Sequence, residues 1–241
     1  MEKKFNFKAK IETKQMVLMS LFAALAYIIA YVFRIDVLFL TYEMKDAVIC
    51  LASIILGAPY GVIIALVVSA IEAVTISSTG FWGFVMSFIA SSVFSVTCSL
   101  IYNKLRSFNG AIIAVYSAAT ALAIVMIPLN LIFVPIFSPF ITTAAVVDMI
   151  VPTLLPFNLA KALINGAIVL IAYKPIITAL RRAKLIKCDS KKCVIETEEG
   201  CKVVYDTDSF KFTTSTYVTI ALGVVTIAAG VMVFLWLAGK I

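Results

Sequence analysis

Seven apolar stretches, separated by short polar connections, leave this chain few folds to choose from. They run approximately over 16–33, 46–56, 60–76, 81–102, 110–137, 157–178 and 217–239. Most reach the ~20 apolar residues that a helix needs to cross a bilayer. The second is short, and Gly57-Ala58-Pro59 makes its join to the third a tight turn. Of 241 residues, 63% are hydrophobic and 14% charged, against a usual ~45–50% and ~25%. A water-soluble chain of this size has too little interior to hide so much apolar surface. The reading is an all-α, multi-pass membrane protein. A soluble enzyme, a nucleic-acid binder and a secreted disulfide scaffold are excluded, despite a net charge of +7.

That charge is explained by position. The amino-terminal arm, residues 1–15, holds Lys3, Lys4, Lys8, Lys10 and Lys14. Lys104 and Arg106 separate the fourth and fifth stretches, and eight further basic residues from Arg181 to Lys211 follow the sixth. Threaded through seven spans, these 15 fall on one side, while the other side receives only Arg34, Lys45 and Lys240. The excess of Lys and Arg marks the cytoplasmic face. The expected protein sits in the plasma membrane with its amino terminus inside and its carboxyl terminus outside. A signal peptide is rejected for the first stretch, because its apolar core is too long and Arg34 follows directly.

Cys50 and Cys98 lie inside spans and read as small apolar fillers. Cys188, Cys193 and Cys201 fall on the reducing side, and their spacing is not a paired metal-binding pattern. They lie in 184–212, where two short β-type runs flank Glu198-Glu199-Gly200 and suggest a small hairpin. An extra membrane helix over 216–239 follows.

An ionisable or amide side chain inside a span is costly, so each calls for a reason. Glu43, Lys45 and Asp46 cluster at the start of the second span, and Glu72 is near the end of the third. Asn130 lies between Pro128 and Pro135, and Asn158, Lys161 and Asn165 follow Pro156. The topology puts them all in the outer half of the membrane, which implies a polar cavity opening outward. Spacing i, i+3, i+7 sets Asn158, Lys161 and Asn165 on one helix face, and Asn130 can converge on it. Lysine supplies donors and asparagine both donors and acceptors, a set suited to a ligand rich in carbonyls and ring nitrogens. Tyr31, Tyr42, Phe81, Trp82 and Phe84 are placed to stack a flat ring. Simpler roles are open for each: a cap for Asn158, snorkelling for Lys161, repair of proline-broken backbone for Asn130, an interfacial carboxylate for Glu72, and an aromatic belt for the rings. In the first span Ala23, Ala26 and Ala30 form a small-residue face for a partner helix. No phosphate-binding G-x-x-x-x-G-K-[ST] loop, H-E-x-x-H or serine elbow occurs, so neither ATP hydrolysis by that loop nor a familiar membrane hydrolase is expected.

Phe39-Leu40-Thr41-Tyr42-Glu43-Met44-Lys45-Asp46, Ile55-Leu56-Gly57-Ala58-Pro59-Tyr60-Gly61 and Ser78-Thr79-Gly80 resemble the substrate-binding S components of energy-coupling factor (ECF) transporters. Leu155-Pro156-Phe157-Asn158-Leu159-Ala160-Lys161 and Asn130 with Phe133-Val134-Pro135 resemble the riboflavin-specific members. The similarity spans about 16–187. It implies a six-helix bundle within 16–183 that takes a vitamin from outside, driven by a membrane coupling subunit and two ATPase subunits. It implies riboflavin as transported ligand rather than cofactor, contacted by Asn130, Asn158 and Lys161. Asn165, Leu40, Tyr42 and Trp82 complete the expected site, with Ala26 and Ala30 toward the coupling subunit. The extra carboxyl-terminal helix departs from the family's six, and Gly80-Phe81-Trp82-Gly83-Phe84 is bulkier than expected for a riboflavin binder. Alternatives are an S component for a different vitamin or nucleobase-like compound, and a non-transporting membrane scaffold or sensor.

Overall fold

The computed structural model describes residues 13–37, 40–77, 80–105, 108–138 and 140–182, together with Val225, Ala228, Met232 and Val233. The β-type segment expected in 184–212 lies outside the described residues, as do the basic arm up to residue 12 and most of the seventh span. In order come α1 (Thr13–Val32), β1 (Arg34–Val37), β2 (Leu40–Glu43), α2 (Lys45–Leu56), α3 (Ala58–Thr75), α4 (Gly80–Leu105) and α5 (Phe108–Phe137). Then follow α6 (Thr143–Met149), a π-helical segment (Ile150–Leu154) and α7 (Leu155–Arg182). Among the described residues, five helical stretches are long and apolar enough to cross a membrane: Gln15–Val32, Ala58–Thr75, Gly80–Leu105, Gly110–Ile136 and Thr143–Tyr173.

The short second stretch is one uninterrupted helix, α2, of 12 residues. At ~1.5 Å per residue it spans about 18 Å, well short of a ~30 Å hydrocarbon layer. It survives because it is enclosed by protein. Every residue from Lys45 to Ser53 is buried, and α1, α3, α4 and α7 all pack against it. Two cores meet on α2. Ile49 joins Phe22, Ala26, Ile64 and Val68 of α1 and α3, while Cys50 and Leu51 join Phe94, Val115, Leu122 and Val169 of α4, α5 and α7. Gly57 ends α2 at φ 119°, a backbone region that suits glycine, and Pro59 sits in the first turn of α3.

A column of serines on α4 faces this short helix. Ser87, Ser91, Ser95 and Ser99 recur every four residues and so share one face. Ser99 Oγ donates to the Ser53 carbonyl at 2.7 Å, and Ser53 Oγ donates to the Ser95 carbonyl at 3.2 Å. Ser91 Oγ donates to Asp46 Oδ1, and Lys45 Nζ donates to Ser87 Oγ at 2.7 Å. Lys45 is fully buried, with its ammonium 2.6 Å from Glu43 Oε2 and also paired with Glu72. One side chain thus ties the start of α2 to β2, α3 and α4.

Three features differ from the sequence reading. First, 34–43 is not a plain loop: β1 and β2 pair antiparallel, with Ile35 opposite Tyr42 and Arg34 opposite Glu43. The alternation is only four residues per strand, too short to stand out beside 20-residue helices. Second, Pro156 does not begin the sixth helix. Helical structure runs back through the π segment to Thr142, whose side chain caps α6 by accepting from the Ala145 N–H; the wider π turn accommodates Pro152 and Pro156, which lack N–H groups. Third, the small-residue face of α1 turns inward. Ala26 and Ala30 are 0% and 1% exposed, and Ala23 packs on the same core. Their small size lets α1 approach α2 and α3 closely. Leu21, Leu25 and Ile28 form the exposed side instead. Of the carboxyl-terminal residues, Val233 packs against a third core of Leu40, Tyr42, Val134, Val146, Leu154 and Phe157.

Two outcomes test this packing. A Cβ on Gly166 of α7 would lie 2.2 Å from Val115 Cγ1 of α5, and a helical valine has little rotamer freedom to yield. Gly166→Ala is expected to cost about 1–3 kcal/mol, read as a lower thermal midpoint in detergent; an unchanged midpoint refutes the close α5–α7 contact. Lys45→Ala leaves Glu43 and Glu72 facing each other without their shared cation. It is expected to destabilise the fold by about 3–5 kcal/mol, more than removal of either carboxylate, in the same measurement.

Candidate ligand-binding cavity

The ion pairs at the start of α2 form part of the wall of a cavity of about 100 Å³. Leu40 and Thr41 of β2, Ser69 and Glu72 of α3, Phe84 and Ser87 of α4, Met126 and Asn130 of α5, and Phe157, Asn158 and Lys161 of α7 line it, with Arg34 and Glu43 from the hairpin. Elements far apart in sequence meet here because α2 is short. The space above its start is left to the hairpin, and the ends of α3, α5 and the beginnings of α4 and α7 close around it.

Of the site residues expected from the sequence, Asn130, Asn158, Lys161 and Leu40 line this cavity. Lys161 does not reach for a membrane surface. It is 8% exposed, and its Nζ lies 3.3 Å from the Thr41 carbonyl, to which it donates, and 3.5 Å from Asp46 Oδ2. An ammonium has three N–H donors, so one is left for a ligand beyond these two contacts. Asn158 does not cap a helix start, since its Nδ2 donates back to the Leu154 carbonyl at 2.8 Å. Asn130 Nδ2 likewise donates to the Met126 carbonyl at 2.7 Å. That carbonyl is four residues back, not one freed by Pro128 or Pro135. With both amide nitrogens anchored, the amide oxygens are held in fixed directions, and Asn130 Oδ1 is buried without a hydrogen-bond partner.

Asn165, Tyr42 and Trp82 are not among the described residues that line the cavity. Asn165 is buried one turn below Lys161 and donates to the Glu43 carbonyl at 3.1 Å, so it braces the hairpin. Tyr42 alternates to the opposite side of β2 from Thr41 and packs into the core with Val134 and Leu154. Burial, reinforced by the Asp46 carboxylate, raises the Tyr42 phenol above its ordinary pKa. Trp82 packs on Phe133 at 5.2 Å between ring centres. Its neighbour Phe84 turns to the cavity, while Tyr31 and Phe81 are exposed on the outside.

The sequence reading missed Ser87, Ser91 and Arg34. A serine every fourth residue along an apolar helix is a legible signal of a polar face, and it points at the same acidic and basic cluster. Arg34 required the hairpin, which brings its guanidinium to donate to the Ile76 carbonyl at 3.4 Å, at the end of α3. For Glu43, burial opposes ionisation. The ammonium groups of Lys45 and Lys161, with Arg34, outweigh it and hold its carboxyl below the usual range. Glu72 is not interfacial; it is 4% exposed, paired with Lys45 and facing the cavity. The walls thus join fixed amides, one ammonium with a spare donor, several hydroxyls and carboxylates, and apolar faces from Leu40, Phe84, Met126 and Phe157. The chemistry of such walls suits a small polar molecule with a flat apolar part.

The sequence profile of a family described as "ECF transporter, substrate-specific component" matches residues 14–173. The riboflavin transporter RibU of Staphylococcus aureus (strain TCH60) is 25% identical over 179 residues, covering 71% of this chain and 94% of its own length. A solved structure described as "Structure and mechanism of the S component of a bacterial ECF transporter" shares the fold, with a TM-score of 0.60 at 23% identity over 70% of this chain and 98% of its own. The matched region takes in every described helix that surrounds the cavity, although α7 continues nine residues beyond it. This chain belongs to the substrate-specific (S) component family of ECF transporters: a multi-pass membrane protein, and not an enzyme.

Proposed function

We propose that this S component captures riboflavin from outside the cell and delivers it for uptake driven by a membrane coupling subunit and two ATPase subunits. The observation that carries the reading is the convergence of Asn130, Asn158 and Lys161 on one cavity. Two anchored amides and an ammonium suit the carbonyls and ring nitrogens on one edge of a flavin, while Leu40, Phe84, Met126 and Phe157 suit its apolar faces. The similarity to a riboflavin transporter adds support. The outward orientation rests on the distribution of basic residues, since the cavity lies at the end of the bundle away from Lys104, in the last turn of α4, and from Arg181 and Arg182, at the end of α7.

Protein purified from membranes grown with riboflavin is expected to carry a yellow chromophore, and stripped protein to quench added riboflavin fluorescence. Absence of both overturns the vitamin assignment. A thermal-shift screen of other vitamins and nucleobases then identifies the ligand, because only a compound that binds the folded state raises its midpoint.

Lys161→Ala is expected to weaken riboflavin about 10- to 100-fold, since a hydrogen bond to a charged group is worth about 1.5–3 kcal/mol and each ~1.4 kcal/mol is tenfold. Fluorescence titration measures it, and a change under twofold removes Lys161 from the site. Lys161→Arg is expected to recover little, because a planar guanidinium does not fit where a point ammonium sits between Thr41 and Asp46.

A further inference from the structure

The two sides of the cavity differ in chemistry. The α5 and α7 side presents amides and an ammonium. The α3 side presents Ser69, Glu72 and Ser77, with Ser87 of α4 beside them. Ser69 Oγ lies 3.4 Å from Ser87 Oγ, and Ser87 in turn accepts from Lys45. Within this wall Glu72 is 4% exposed, and only one of its two oxygens is used. Oε2 pairs with Lys45, while Oε1 is buried with no hydrogen-bond partner.

A buried carboxylate oxygen without a donor is costly. The donor is not to come from Lys45, whose ammonium already serves Glu43, Glu72 and Ser87 and has three hydrogens. Because Glu72 lines the cavity, an occupant of the cavity is placed to supply it. An ionised carboxylate only accepts, so the occupant must bring an O–H or N–H to this side. A carboxylate among serine hydroxyls, each able both to donate and to accept, is suited to a chain of alcohol groups. It is ill suited to an anionic group, which would meet Glu72 directly.

Building on the riboflavin reading, we infer that Glu72 is a specificity-determining residue: its free carboxylate oxygen accepts a hydrogen bond from a hydroxyl of the ligand's polyol side chain. The amide and lysine side reads the ring, and the α3 side reads the tail. Ligands with the ring alone therefore forgo the Glu72 contact.

The test is a cycle of two proteins and two ligands, read by fluorescence titration: unmodified protein and Glu72→Gln, each with riboflavin and with lumiflavin, which keeps the ring but has a methyl group in place of the polyol chain. Unmodified protein is expected to bind riboflavin at least about tenfold more tightly than lumiflavin, the factor for a charge-assisted hydrogen bond. Glu72→Gln is expected to weaken riboflavin by about tenfold and lumiflavin by less than about twofold, which also certifies that the variant is folded. Equal losses for both ligands mean that Glu72 acts only through Lys45 and the fold, and overturn the inference. If Glu72→Gln does not fold, the unmodified protein decides: equal affinity for the two flavins overturns the inference, and a clear preference for riboflavin sustains it. Binding of neither flavin to unmodified protein overturns the riboflavin reading, and this inference with it; failure of the cycle alone leaves that reading standing.

Discussion

A lysine with no exposure to solvent, inside a protein built for a lipid environment, is the constraint around which the cavity end of this molecule is arranged. An ammonium at that depth is tolerated only if it is neutralised and hydrogen-bonded. Lys45 meets the requirement with Glu43, Glu72 and Ser87, taken from the hairpin, α3 and α4. Next to it Asp46 accepts from Ser91 at Oδ1, and its Oδ2 lies 3.5 Å from the Lys161 ammonium. Once these partners are required, the positions of four separate elements around the start of α2 are no longer independent. The hairpin has to fold over α2, α3 has to end level with its start, and α4 has to present its serine column. Lys161, which faces the cavity from α7, is held by the same network.

The cavity follows from that arrangement. It lies beside charges whose partners are already assigned, with a few polar atoms left over. Lys161 keeps a donor, and Asn130 and Glu72 keep acceptors. What distinguishes the candidate binding groups from structural ones here is that their residual hydrogen-bonding capacity lies on residues that line the cavity. Asn165 illustrates the other case. It shares a helix face with Asn158 and Lys161 and, like Asn130, keeps an amide oxygen without a hydrogen-bond partner, but it lies outside the cavity lining, and its nitrogen donates to the Glu43 carbonyl and holds the hairpin down.

Much of this was legible in the sequence, for a simple reason. In a chain so rich in apolar residues, each polar residue within a span stands out, and pairing topology with polarity located Asn130, Asn158 and Lys161 at one level. Contacts between specific side chains were not legible. Spacing gives the face of a helix but not its neighbour, so it did not show that Ala26 packs into the core shared by α1, α2 and α3. The aromatic residues 81–84 form one run, yet only Phe84 turns to the cavity while Trp82 meets Phe133; consecutive helical positions point about 100° apart. The hairpin escaped notice because two four-residue strands carry little periodic signal.

Helices that touch lipid must match the thickness of the bilayer, and they tilt or stretch their surroundings when they do not. The 12-residue α2 is exempt. From Lys45 to Ser53 it is buried in protein, so lipid chains do not bear on those nine residues. Mismatch with the bilayer is thus met by the long helices around it, while the charges at its start rest on protein partners alone.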